Sequence, residues 1–210
     1  KKENFIYLPV SEVRFPWGKM SSRTGENVLY SEFKKEMFEL ALKEIRQREK
    51  ATKKEAEKRA LAITVAAIKY QMLKQDVNKN LIFNKEEALK FEGNTGPYLL
   101  YTYARAKSIL RKAKYKQSKL KINEINELEK NLILQLSSFQ ENIENAQENL
   151  APNLIANYSF EIAQKFNEFY HANKVIGSDE EKYRLAIVAS FSQVLKNALS
   201  LLGINTLEKM

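Results

Sequence analysis

Apolar residues recur at helical intervals through most of the chain. Between Ser31 and about Lys50, Phe33, Met37, Leu40 and Ile45 fall near the spacing of one helix stripe among charged residues, which predicts an amphipathic helix. Ser31 is a capping residue type, with Lys34 where a capping-box glutamate would stand. Residues 52–75 carry Leu61, Val65, Ile68 and Met72 at intervals of four, three and four, which predicts a second helix buried along that stripe. Residues 78–91 keep no period and read as irregular chain or a short helical turn. Gly93-Asn94-Thr95-Gly96-Pro97 is the sharpest turn signal, and Pro97 suits the first position of a helix running to about Lys116. Long helical patterns then cover 124–148, 152–173 and 179–202, with breaks at Gly177-Ser178-Asp179 and Gly203.

Residues 5–30 depart from this pattern. Short β-type bursts (Phe5-Ile6-Tyr7-Leu8 and Val13-Arg14-Phe15) sit among two of the four prolines and two of the six glycines, predicting one or two short strands around a loop. The expected fold is therefore all-α, a helical bundle preceded by a short strand and loop. Its expected divisions are 1–30, 31–93 and 94–210, the middle piece a helical connector.

Composition narrows this reading. Only 6 glycines and 4 prolines in 210 residues support few long elements and argue against a sandwich, barrel or propeller. The absence of cysteine excludes disulfides, thiolate nucleophiles and cysteine-held metals, and the lone His171 cannot build a histidine cluster. No apolar run approaches the roughly 20 residues of a membrane span, and Lys1 opens no signal-peptide pattern. The expectation is a cytoplasmic protein without a metal.

The net charge is +9, and its distribution is more informative than its size. Residues 94–123 contain no Asp or Glu, while Arg105, Lys107, Arg111, Lys112, Lys114, Lys116, Lys119 and Lys121 are all positive. The sign then reverses, with Glu124, Glu127, Glu129, Glu141, Glu144 and Glu148 against Lys130 alone. An unbroken basic stretch followed by an acidic, solvated helix face suits one surface meeting a polyanion. Tyr98, Tyr101 and Arg105 are spaced three and four apart, on one helix face, where rings beside a guanidinium offer stacking surfaces for unpaired bases. Lys112, Lys114 and Lys116 are assigned to phosphates. His171 reads as an ordinary surface histidine.

Between Gly18 and Gly25 lies a second candidate, Lys19-Met20-Ser21-Ser22-Arg23, whose cations and hydroxyls suit a phosphate ligand. These five residues resemble the KMSKS signature loop of class I aminoacyl-tRNA synthetases. Lys19 and Ser21 match the loop's first lysine and serine; Ser22 stands where its second lysine usually is, leaving open whether Arg23 replaces it. Phe91-Glu92-Gly93-Asn94-Thr95-Gly96-Pro97-Tyr98 with Leu99 to Arg105 is similar to the entry into the anticodon-binding domain of arginyl-tRNA synthetases. Ala67-Ile68-Lys69-Tyr70, Phe166, Phe169-Tyr170, Val175, Arg184-Leu185-Ala186, Val194-Leu195 and Leu201-Leu202-Gly203-Ile204 extend that similarity to Met210.

The resemblance implies an arginine–tRNA ligase, joining L-arginine to tRNA(Arg) through an ATP-derived adenylate. It implies that Lys19 is catalytic, that Lys19, Met20, Ser21, Ser22 and Arg23 contact ATP with its Mg, and that Tyr170 and Met210 join Tyr98, Tyr101 and Arg105 at the anticodon. It further implies a monomer whose nucleotide-binding core lies before Lys1, so that this chain alone is inactive. Other readings remain open: the anticodon-binding part of another class I synthetase, a stand-alone helical RNA-binding module, or a structural helical protein with a basic surface.

Overall fold

A computed structural model describes residues 6–18, 28–48, 51–117, 119 and 124–210. Helices dominate, and they bury one contiguous apolar core from Phe15 to Ile204. Near the start, β1 (Val13–Arg14) pairs in parallel with β2 (Leu81–Ile82), Val13 opposite Leu81 and Arg14 opposite Ile82. The expected strand at Phe5–Leu8 does not form over its described residues: 6–10 are irregular, with Ile6, Tyr7, Leu8 and Val10 exposed. The loop Lys19–Arg23 lies outside the described residues.

Helix α1 (Tyr30–Arg48) packs Phe33, Met37, Ala41 and Ile45 inward at intervals of four. It starts one residue before Ser31, so Ser31 lies in its first turn and is not its cap, and Leu40 is largely exposed. Helix α2 (Lys53–Leu73) opens on a capping box: the Thr52 hydroxyl accepts the Glu55 N–H, and the Glu55 carboxylate accepts the Thr52 N–H. Its buried face is not the expected one. Ala56, Ala60, Ile63, Ala67 and Tyr70 point into the core, while Leu61 and Met72 are exposed. Alanines there let neighbouring helices approach closely, so backbone proximity, not side-chain size, selects the face.

The irregular stretch holds β2 and the one-turn α3 (Lys85–Ala88). Helix α4 (Gly96–Lys112) then begins directly against α2, where a Cβ on Gly96 would stand 2.3 Å from the Ala66 carbonyl oxygen. Thr95 caps it, accepting the Tyr98 N–H while donating to the Lys90 carbonyl at 2.6 Å. Buried Tyr70 reaches both the Asn94 side chain and the Ala156 carbonyl, and Lys74 donates to the Asn94 carbonyl, so α2 fixes this turn.

Helix α4 stops at Lys112, short of the expected Lys116. Lys114 takes a positive φ of 49°, and the N–H groups of Lys114 and Tyr115 close on the Arg111 and Leu110 carbonyls, the two bonds of a Schellman ending. Lys114 and Lys116 are therefore beyond the helix.

The expected single helix over 124–148 is two: α5 (Glu127–Ser137) and α6 (Phe139–Glu148). Ser137 and Ser138 turn their hydroxyls back to the Leu134 and Gln135 carbonyls, and the Tyr158 hydroxyl also donates to Gln135 at 2.9 Å. Leu134 still accepts the helical bond from the Ser138 N–H, whereas the Gln135 carbonyl, which a continuing helix would have used, is taken by two hydroxyls. Helices α7 (Pro152–Ala172) and α8 (Glu181–Leu201) complete the bundle, with Phe166 and Phe191 stacked between them at 4.0 Å.

Candidate nucleic-acid interface

Spacing along α4 sends Tyr101 and Arg105 to its solvent side, facing the last turn of α7. Together with Tyr170, His171 and the returning C-terminal residues they line a cavity of about 840 Å³. The Arg105 guanidinium lies 4.8 Å from the Tyr101 ring centre and 5.9 Å from that of Tyr170, so the cation bridges two aromatic faces. Tyr101 is 40% exposed, which leaves its ring open to a flat ligand. Tyr170 is backed by Phe166, stacked 9° from parallel, which in turn rests on Phe191. Its ring is thereby backed by the core while it lines the cavity.

The guanidinium is held in place by Asn167 of α7, whose side-chain oxygen accepts from Nη1 at 2.7 Å. Nη2 donates to the Tyr101 hydroxyl at 3.2 Å. The Asn167 amide also donates to the Tyr98 hydroxyl at 2.8 Å. Tyr98 does not line the cavity: it is half-buried between α4 and α7, its ring edge-on to Phe160 at 5.7 Å. Its place is behind Tyr101 and Arg105, in the layer that orients them. Nothing in the spacing of the sequence points to Asn167, which stands 62 residues from Arg105.

Met210 is half-buried beside Tyr101, over a small apolar recess that Ile45, Ile63 and Phe91 also line. The tail leading to it is tied down by the Lys69 ammonium on the Gly203 carbonyl and by Lys107 and Glu208 at 3.4 Å. Around the cavity stand Arg59, Arg111, Lys112, Lys174 and Lys209, against a single acidic side chain among the described residues, Glu208. Lys114 and Lys116 are exposed beyond the end of α4 and do not line the cavity. His171 is exposed on the rim, its ring 6.2 Å from that of Tyr170.

The acidic face holds a feature that charge counting does not reveal. Glu129 is only 1% exposed, and its carboxylate accepts from Arg184 Nε at 2.8 Å and from the Asn126 N–H at 2.9 Å. It is a structural ion pair joining α5 to α8, not part of a solvated surface. Among the described residues no group of three or more His, Cys, Asp or Glu side chains could hold a metal, and no helix is long and apolar enough to cross a membrane.

An aromatic and guanidinium pair with a rigid ring opposite, inside a cationic rim, can stack unpaired bases and hold their phosphates. Comparison with known proteins agrees with that chemistry. The DALR anticodon binding domain matches residues 99–210. The arginine–tRNA ligase of Phocaeicola vulgatus is 34% identical over 99% of this chain and 36% of its own length, and that of Flavobacterium psychrophilum is 36% identical over 99% and 35%. In three dimensions the Thermus thermophilus arginyl-tRNA synthetase superposes with a TM-score of 0.85 at 30% identity, over 95% of this chain and 34% of that one. The chain thus spans about a third of the length of the relatives it matches.

Proposed function

The chain belongs to the DALR anticodon binding domain family and corresponds to the C-terminal part of arginyl-tRNA synthetases, and from that membership we propose that it binds tRNA(Arg) at the anticodon. Tyr101, Arg105 and Tyr170 receive unpaired anticodon bases, Met210 floors the pocket beside Tyr101, and Tyr98 orients the pair from behind. Lys112 at the rim, and Lys114 and Lys116 beyond the end of α4, hold phosphates. The observation that carries this reading is the bridging of Tyr101 and Tyr170 by one guanidinium, within an open cavity whose rim is almost wholly cationic.

In the intact ligase this part works beside a nucleotide-binding core that activates L-arginine with ATP and Mg. Lys19, Met20, Ser21, Ser22 and Arg23 contact ATP there, Lys19 as the cation aimed at the leaving pyrophosphate, a role supported by the resemblance of these residues to the signature loop. The working unit is a cytoplasmic monomer.

The test separates reading from holding. Affinity is measured for tRNA(Arg) and for the same tRNA with an exchanged anticodon, at several salt concentrations. Replacing Lys112, Lys114 and Lys116 by Ala should weaken both RNAs alike and make the salt slope shallower by roughly 0.7–0.9 for each phosphate no longer neutralised. Tyr101→Ala should cost about 1–3 kcal/mol on tRNA(Arg), mainly abolish the preference between the two, and leave the slope intact. Equal weakening of both RNAs by Tyr101→Ala would contradict the assignment.

A further inference from the structure

One wall of the cavity is the connector between α7 and α8, which supplies Asn173, Lys174, Val175 and Ile176 to the lining. It is tied to its flanking helices, Asn173 through its N–H and its side chain to the Phe169 carbonyl and Gly177 through its N–H to Glu181, while Val175 is buried in the core. Two further side-chain bonds, from Arg184 and Asn126, grip it at consecutive residues. Arg184 Nη1 donates to the Lys174 carbonyl at 3.0 Å, and Asn126 Nδ2 donates to the Asn173 side-chain oxygen at 2.8 Å. Both grips converge on one carboxylate. Buried Glu129 holds Arg184 through Oε1 and the backbone of Asn126 through Oε2, while the Asn126 side chain caps the Glu129 N–H at 3.0 Å.

From this network we infer that Asn126, Glu129 and Arg184 are positioning residues for RNA reading: they fix the connector wall, Asn173 to Ile176, that lines the cavity together with Tyr101, Arg105 and Tyr170. The inference rests on the anticodon-binding reading above. None of the three lines the cavity. A buried ion pair is by itself weak evidence for stability, since its desolvation offsets its attraction. The arrangement makes more sense as a geometric device: Glu129 at Nε, with Glu180 3.4 Å from Nη1, orients a guanidinium that also holds a backbone carbonyl of the connector.

The test uses two substitutions that keep the fold's own requirements. Asn126→Ser retains the helix cap, because serine caps as well as asparagine, but is too short to reach Asn173. Arg184→Lys keeps a cation against Glu129 but has no fork to hold the Lys174 carbonyl. Each is made in the intact protein, and binding of tRNA(Arg) and of its anticodon-exchanged form is compared with wild type and Tyr101→Ala, at a temperature where circular dichroism shows every variant folded. The expected result is about a three- to tenfold loss in affinity for tRNA(Arg), little change for the exchanged RNA, and an unchanged salt slope. A purely structural role would lower the melting temperature and leave the preference between the RNAs unaltered; that outcome overturns the inference. If Tyr101→Ala abolishes the preference and the two new variants do not, the inference fails while the anticodon reading stands. If wild type itself shows no preference, both fail.

Discussion

Tyr101 and Arg105 are legible in the amino-acid sequence because helical spacing places them together and because a ring beside a guanidinium has few other uses on an exposed face. Tyr170 and Met210 are legible only through resemblance, since nothing in local spacing links residues so far apart to α4. Asn167 and the pair of Glu129 with Arg184 are not legible at all. Their partners stand 62 and 55 residues away, and a polar residue in a helix pattern carries no mark of what it will face. Asn167 yields a test at this scale. Asn167→Ala removes the acceptor that holds Arg105 and the donor to Tyr98, and should weaken tRNA(Arg) binding by about 1–3 kcal/mol, the range for a bond to a charged group. Tyr98→Phe, which removes only the outer hydroxyl, should cost less. Affinities measured side by side check this order. Equal losses would show that Asn167 acts through the Tyr98 hydroxyl and not through the guanidinium.

Elements are legible where a strong period meets a clear stop, as in α4, α7 and α8, whose starts or ends carry Pro97, Pro152 and Gly203. Among the expectations that fail, two show the reason most clearly. The break at Ser138 has no glycine or proline; it depends on the Ser138 hydroxyl and on Tyr158 from another helix, which take the Gln135 carbonyl. The face of α2 differs from the expected one because periodicity weighs large apolar residues, whereas this helix is buried on its alanines. Close approach is the quantity that matters there, and Gly96 is where it is tightest. Gly96→Ala would set a methyl 2.3 Å from the Ala66 oxygen, a contact with rigid backbone that only helix separation can relieve. The expected cost is about 1–3 kcal/mol, read as a lower urea midpoint. An unchanged midpoint would mean that α2 and α4 are not packed backbone to backbone.

Across the whole molecule, three tyrosines tie the helices together from inside. Burial, with the nearby Glu161 charge, raises the ionisation of Tyr70 and Tyr158 well above the usual 10.0; burial, with Glu129 nearby, raises that of Tyr183. A folded-state value above the unfolded one contributes stability that is complete below pH 10.0 and is lost as pH rises beyond it. Burial lowers the Lys74 value, which works in the opposite sense below the ordinary lysine range. Tyrosinate absorbance should therefore show part of the 10 tyrosines ionising only when circular dichroism reports unfolding. Smooth ionisation of all of them in a folded chain would contradict the packing. The same fold, with its core on one side, brings α4, the end of α7 and the C-terminal tail to a single cationic cavity. Whether that cavity meets the anticodon is the central claim. The most direct measurement places a photo-crosslinking benzoyl-phenylalanine at position 101, where the exposed tyrosine leaves room, and maps the crosslinked nucleotides on tRNA(Arg). The account predicts crosslinks confined to the anticodon loop and competed away by an excess of the isolated anticodon stem–loop; crosslinks in the acceptor stem, or spread along the RNA, would contradict it.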